Sequence, residues 1–254
     1  MENYTAKEIQ DYLSRCNYEE FIKLKEQLKN ETRKSVLNLI EKTEKRLNDS
    51  KKQYQEYEKR SYYEKQLLSK GIQYIAGVDE VGRGPLAGPV YAAAVILNPD
   101  VEILGIKDSK KLTQHQREIL SDEIKKKCFA YSIGYATPDE IDRFNILNAT
   151  KLAMKRAIYG LTVCPEHLLI DALKLDISIS QTSIIKGDDK SNSIGAASIV
   201  AKVARDKFMD EMSYMYPEYQ FNKNKGYGTK EHINAIKEYG ICEIHRKTFL
   251  KNIL

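Results

Sequence analysis

Proline and glycine are missing from the first seventy residues: the first glycine is Gly71 and the first proline is Pro85. A stretch without either breaker, carrying apolar residues at helical spacing, excludes a turn-rich or sheet-forming module. The four cysteines (Cys16, Cys128, Cys164, Cys242) stand far apart with no CxxC pair, which excludes a zinc knuckle or a disulfide framework and points to reduced thiols. No apolar h-region follows Met1, so no secretory signal is expected. The longest apolar run, Val90 to Leu97, is far too short to span a bilayer. No Gly-Lys-Ser/Thr triplet supports a P-loop. These absences leave a cytoplasmic protein without a membrane segment, with monomer as the default state.

The chain has 254 residues, enough for one substantial core and a smaller appendage. Its formal charge of +5 is compatible with a nucleic-acid partner. Residues 1–70 carry 16 basic and 13 acidic side chains. Ile9, Tyr12, Leu13 and Cys16, then Phe21, Leu24 and Leu28, predict two short helices. Val36, Ile40, Leu47, Tyr54 and Tyr57, interrupted by Thr43 and Ser50, predict one long helix in loose heptads that ends near Gly71. This helical extension reads either as an accessory substrate grip or as a spacer.

Residues 72–254 read as an α/β domain. Strands are expected at Gln73–Val78, Val90–Leu97, Phe129–Ala136 and His167–Ile170, with a weaker one at Thr182–Lys186. A capping box, Thr113-x-x-Gln116, opens a helix with Ile119, Leu120 and Ile124 inward. Pro138 starts another helix, Ile146 to Leu161 keeps helical periodicity, and Asn192 to about Met212 is the clearest helix. In that last helix Ile194, Ala197, Ser198, Ala201, Ala204 and Phe208 form one stripe, with Gly195 and its small neighbours permitting close approach to a sheet. Early paired strands followed by β-α alternation imply a mixed sheet flanked by helices.

The run Asp79-Glu80-Val81-Gly82-Arg83-Gly84-Pro85-Leu86-Ala87-Gly88 carries the most chemistry. Paired carboxylates suit a hard cation such as magnesium. Glycines flanking an arginine let the backbone approach a bulky anion. A metal site abutting a phosphate site points to phosphodiester chemistry. Further acids stand at the end of the apolar segment Leu168-Leu169-Ile170-Asp171, in the turn Lys186-Gly187-Asp188-Asp189, and at Asp206. Packed carboxylates repel one another unless cations neutralise them, and two ions roughly 3.5–4 Å apart serve an in-line displacement. Successive strand residues point to opposite faces. Asp79 and Glu80 can therefore share a site only if the strand ends or bulges there, which Gly82 and Gly84 would allow.

With those residues assembled, the chain closely resembles the bacterial type 2 ribonuclease H family, ribonuclease HII. The resemblance is carried by Gly77–Val90, Asp108-Ser109-Lys110-Lys111-Leu112-Thr113, Ile170-Asp171-Ala172, Lys186-Gly187-Asp188, Ser193–Asp206, Gly226-Tyr227-Gly228-Thr229 with His232, and His245-Arg246. It implies an RNase H-like fold and endonucleolytic cleavage of RNA in RNA–DNA hybrids and at ribonucleotides embedded in duplex DNA. It also implies dependence on magnesium or manganese, with two divalent ions in the active complex, leaving 5′-phosphate and 3′-hydroxyl ends. The metal-site acids would be Asp79, Glu80, Asp171 and Asp188, the last preferred to Asp189 because it follows Lys-Gly. Gly82, Arg83 and Gly84 would contact the ribonucleotide's 2′-hydroxyl and the scissile phosphate. Tyr227 would stack on the neighbouring deoxyribose, and Ser109 and Lys110 would touch phosphate. Gly195 departs from the commoner alanine, Arg83 argues against the sister type HIII, and Phe249 to Leu254 contains no evident clamp-binding peptide. The rival reading is a non-catalytic hybrid-binding protein whose basic side chains, Lys223, Lys225 and Lys230 among them, do the work.

Overall fold

The computed structural model describes residues 5–107, 109–251 and 253. The chain gathers into two compact units that divide between Glu58 and Lys59.

In the first unit, α1 (Ala6–Arg15) and α2 (Tyr18–Gln27) each open with a capping box, Thr5 with Glu8 and Asn17 with Glu20. They close over α3 (Lys34–Arg60) around Leu13, Phe21, Leu24, Val36 and Ile40. On α3 the buried stripe runs Val36, Ile40, Thr43, Leu47 and then stops. Thr43 belongs to the core stripe, and Tyr54, expected to continue it, is 44% exposed. The heptad pattern is therefore a short core face.

The expected single long helix is broken at Ser61, and α4 (Tyr62–Leu68) follows as part of the second unit. The reason is tertiary. Ser61 is buried and its hydroxyl accepts from the Asn192 side chain at 2.9 Å. One turn on, Glu64 Oε1 accepts from the Ser191 hydroxyl (2.6 Å), the Ser193 amide (2.9 Å) and the Ser193 hydroxyl (2.7 Å). Gly71, at φ +84°, then reverses the chain.

The second unit holds one five-stranded mixed sheet. Its elements run β1 (Ile75–Val81), β2 (Val90–Ile96), α5 (Gln114–Lys127), β3 (Ala130–Ala136), α6 (Pro138–Phe144), α7 (Ile146–Tyr159), β4 (His167–Asp171), β5 (Ser180–Ile184), α8 (Asn192–Met215), α9 (Phe221–Asn224) and α10 (Lys230–Tyr239). The strand order is β3-β2-β1-β4-β5. β1, β2 and β3 pair antiparallel, whereas β4 lies parallel to β1 and β5 parallel to β4. The edge strand β5 starts two residues earlier than its pattern predicts.

One face of the sheet packs Ala92, Ala94 and Ile96 against α7, and the other packs Ala93 and Val95 against α5 and α8. In α5, Leu120 and Ile124 are buried, but Ile119 is 53% exposed, one position off the stripe. The expected single stripe on α8 is also corrected. Every residue from Asn192 to Ala201 is buried, because the helix is enclosed by sheet and helices on several sides. A Cβ on Gly77 of β1 would come within 2.0 Å of the Ser193 backbone, so strand and helix nearly touch there. At the carboxyl end Leu250 is buried, and Phe249 and Ile253 pack against the cores; Asn252 and Leu254 lie outside the described residues. Among the described residues, no helix is long and apolar enough to cross a membrane.

Candidate active site

Parallel pairing of β1 with β4 sets the centre of the site. The register matches Val78 with Ile170, so the next residues, Asp79 and Asp171, stand on the same rung at the carboxyl ends of neighbouring strands. An open α/β sheet presents its ligands at that end. Beyond Asp171 the backbone turns sharply at Ala172, φ +48°. Asp171 Oδ1 accepts the Gly187 amide at 2.7 Å, tying the 3₁₀ turn Gly187–Asp189 to the end of β4. A Cβ on Gly187 would press on Ile194 at 2.5 Å, so glycine allows that approach.

Asp188 therefore follows directly on the residue bonded to Asp171, and it is half-buried. Its neighbour Asp189 points elsewhere, with both oxygens 2.8 Å from Lys111 Nζ. Asp206 also stays outside the group, held by Lys202 at 2.7 Å and Arg117 at 3.7 Å. Gly195 has a use the sequence did not reveal. A Cβ there would meet Ile106 at 2.8 Å and the Asp188 carbonyl at 3.1 Å, so its absence lets the acidic turn settle onto α8.

Asp79 and Glu80 leave opposite faces of β1. Contrary to the break expected from the sequence, the strand neither ends nor bulges at them; its register with β2 continues unbroken to Val81 opposite Tyr91. Asp79 faces α8 and is 5% exposed. Its Oδ1 accepts the Glu80 amide at 2.8 Å. The Ser198 hydroxyl, which favours the ionised form of Asp79, lies 3.1 Å from the Ser109 hydroxyl. Glu80 Oε1 pairs with Arg83 at 3.3 Å, while Oε2 is buried with no partner. Burial, then the charges of Glu80 and Asp171, push the Asp79 carboxyl well above its usual range. Burial also raises Glu80, against the pull of Arg83 and with the push of Asp171. Asp171 thus repels both carboxylates, although they leave opposite faces of one strand.

Such a group of acids fits a divalent cation. The charges are mutually repulsive, they are withdrawn from water, and one buried carboxylate oxygen is unsatisfied. The described residues contain no ready-made cluster of three or more metal-ligating side chains. Magnesium takes one or two carboxylates and fills the rest of its shell with water and phosphate oxygens.

Around the acids, Gly82 (φ +89°) and Gly88 (φ +86°) bound a loop on which Arg83 and Gly84 are exposed. The ring of Tyr227, 45% exposed, lies 3.7 Å from where a Gly84 Cβ would stand. Ser109 is buried, with its hydroxyl turned to Ser198, and Lys110 is exposed beside it; Asp108 lies outside the described residues. Arg117, which the sequence did not single out, donates to the carbonyls of Ser109 (3.1 Å) and Leu112 (2.6 Å) and so holds this turn.

Behind Tyr227 sits a buried histidine pair. The Cys242 amide donates to His245 Nδ1 at 3.0 Å, the two Nε2 atoms are 3.0 Å apart, and His232 Nδ1 is 2.8 Å from the Tyr227 carbonyl. Burial lowers both imidazoles, His245 to about 4.

The family model for ribonuclease HII matches residues 76–252, and that for the ribonuclease HII N-terminal domain matches residues 5–68. The ribonuclease HII of Bacillus cytotoxicus is 51% identical over 249 residues, 98% of this chain and 96% of that one. The crystal structure of ribonuclease H2 from Pyrococcus horikoshii matches with a TM-score of 0.57 at 29% identity, over 68% of this chain and 92% of that one. The crystal structure of Bst-RNase HIII in complex with Mn2+ shares the fold, with a TM-score of 0.51 at 20% identity, over 66% of this chain and 63% of that one.

Proposed function

As the chain belongs to the ribonuclease HII family and is an endoribonuclease, we propose that it hydrolyses the RNA strand of RNA–DNA hybrids and incises duplex DNA on the 5′ side of embedded ribonucleotides, with divalent metal. The observation that carries this reading is the shared rung of Asp79 and Asp171, with Asp171 drawing in the turn that bears Asp188.

Asp79, Glu80, Asp171 and Asp188 hold the cations, magnesium or manganese, two in the active complex. When bound, these supply an activated water and stabilise the leaving oxygen. The manganese in the Bst-RNase HIII complex supports that choice of ligand class. The protein's own contribution is to fix its carboxylates before substrate arrives. Asp79 is held by the Glu80 amide, Glu80 by Arg83, and Asp171 by the Gly187 amide. Gly82, Arg83 and Gly84 face the scissile phosphate and the adjoining 2′-hydroxyl, the one group that separates a ribonucleotide from its neighbours. Tyr227, beside Gly84, stacks on the next deoxyribose. Lys110 supplies a phosphate contact, and Ser109 acts through its backbone and its hold on Ser198. The bond broken leaves a 3′-hydroxyl upstream and a 5′-phosphate on the ribonucleotide.

We assign the helical extension, residues 1–70, an accessory role in gripping substrate, and place the protein as a monomer in the cytoplasm with the DNA it repairs. The test is cleavage of an end-labelled DNA duplex with one ribonucleotide, in magnesium, manganese or chelator. One metal-dependent cut 5′ to the ribonucleotide is expected. Cutting only of continuous hybrid would move the assignment to the sister type, and salt-sensitive binding without any cut would favour a pure binder.

A further inference from the structure

Two arginines lie fully buried against the loop from Gly82 to Pro89, and among the described residues neither comes within ion-pair distance of a carboxylate. Buried charges are ordinarily neutralised by a partner. Here all three nitrogens of each guanidinium go to main-chain carbonyls instead. Arg246 donates through Nε to Gly88 (2.9 Å), through Nη1 to Arg83 (2.9 Å) and through Nη2 to Gly82 (2.6 Å). Arg205 of α8 donates to Pro89 (3.1 Å), Lys225 (3.0 Å) and Ala87 (3.1 Å). A Cβ on Gly82 would come within 2.1 Å of Arg205 Nε, so that glycine lies directly on the guanidinium.

Peptide geometry gives this arrangement a direction. Across a trans peptide, the carbonyl of one residue and the amide of the next point opposite ways. Drawing the Gly82 and Arg83 carbonyls inward onto Arg246 turns the amides of Arg83 and Gly84 outward. Both residues are exposed, and neither amide donates to an acceptor among the described residues. Successive free amides form a concavity suited to an anion.

We infer that Arg246 and Arg205 are positioning residues for the proposed reaction, fixing the substrate loop from beneath so that the Arg83 and Gly84 amides face the nucleic-acid backbone. The inference rests on the proposed ribonuclease reading of this loop. Arginine suits the task because its planar fork reaches several carbonyls at once, whereas a lysine ammonium is a single compact charge. Two uncompensated cations also leave the free protein electrostatically incomplete, and a phosphate backbone completes it.

The test uses the full chain with R246K, R246Q and, as a control, L250A, a core residue of the same carboxyl-terminal segment that makes no hydrogen bond to the loop. Melting temperature, kcat and KM are measured on the single-ribonucleotide duplex with magnesium. Both arginine variants should lose about a hundredfold in kcat, the scale expected when reacting groups are displaced by an ångström. R246K should recover much of the KM, because it restores charge without restoring the fork. L250A at a comparable melting temperature should keep kcat within about threefold. Wild-type kcat in R246K, or an equal loss in L250A, overturns the inference. If the arginine variants do not fold, the wild-type chain answers alone: titration with inorganic phosphate should shift the Arg83 and Gly84 amide resonances, and their indifference to phosphate overturns the inference. A wild-type chain that cuts nothing, yet shows those shifts, would count against the ribonuclease reading and not against the loop's anion-facing geometry.

Discussion

His245 donates its Nε2 proton to His232 Nε2 across 3.0 Å, and the direction of that bond is set at both ends. The Cys242 amide can only donate, so His245 Nδ1 accepts; the Tyr227 carbonyl can only accept, so His232 Nδ1 carries its proton. Both rings are neutral, and together they connect the segment around Cys242 to the backbone of Tyr227.

This pair makes stability depend on pH. His245 falls from 6.5 to about 4 on folding, chiefly through burial. The unfolded chain therefore binds the proton that the folded chain refuses. The associated stability is present above about pH 6.5 and is lost as pH falls toward 4, an effect on the order of 3 kcal/mol. Denaturation at pH 7.5 and pH 5 should show about 2 kcal/mol of this loss, and His245→Asn should flatten it. An unchanged pH dependence in the variant would mean the pair is not its source.

Tyr227→Ala removes a half-exposed ring beside Gly84 while leaving the backbone carbonyl that His232 uses. Folding should be almost unaffected. Cleavage at a single embedded ribonucleotide should fall at least tenfold more than cleavage of continuous hybrid, a difference of about 1.4 kcal/mol and within the range of base and sugar stacking. Equal losses on the two substrates would remove the stacking role.

Asp79→Asn should abolish cleavage while leaving hybrid binding intact. It also removes a charge that Glu80 and Asp171 repel in a buried setting. In chelator at neutral pH the variant should therefore melt a few degrees higher than wild type, by about 1 kcal/mol or more. Added magnesium should stabilise wild type and not the variant. A variant that melts lower in chelator would contradict the repulsion.

Gly77→Ala should be among the most damaging single changes outside the acids. Its Cβ would lie 2.0 Å from the Ser193 carbonyl carbon, backbone that cannot move without shifting α8. Destabilisation of roughly 3 kcal/mol or more is expected, read as loss of soluble protein or a large fall in melting temperature.

Glu64→Ala should cost about 1–3 kcal/mol, since one carboxylate oxygen serves three donors at the start of α8. Glu64→Gln should cost less, because its carbonyl oxygen can still accept. Equal losses in the two variants would place the effect in packing instead.

Much of the fold is local and was legible. The capping box at Thr113, the helix start at Pro138, the apolar runs of β1 to β4, and the mixed sheet they imply follow from short-range chemistry that any reading of the chain can find. The paired acids of β1 and the lone acid at the end of β4 were legible as residues, but the strand break expected at Asp79 and Glu80 does not occur, because pairing with β2 carries β1 on to Val81. The break at Ser61, the exposure of Ile119 and the all-round burial of α8 were not legible, because each depends on what packs against the helix and not on the helix's own period.

The sequence by itself determined the elements, the order of the acids and the glycines that bound the loop, since these follow from residue type and spacing. Only the tertiary structure decided that Asp79 and Asp171 share a rung, that Asp189 is drawn away by Lys111, and that Arg205 and Arg246 lie beneath the loop. Those facts come from strand pairing and side-chain reach between residues up to 164 positions apart, as in the bond from Arg246 to Gly82. No local pattern encodes contacts of that span, because they are chosen by the free energy of the whole packed unit.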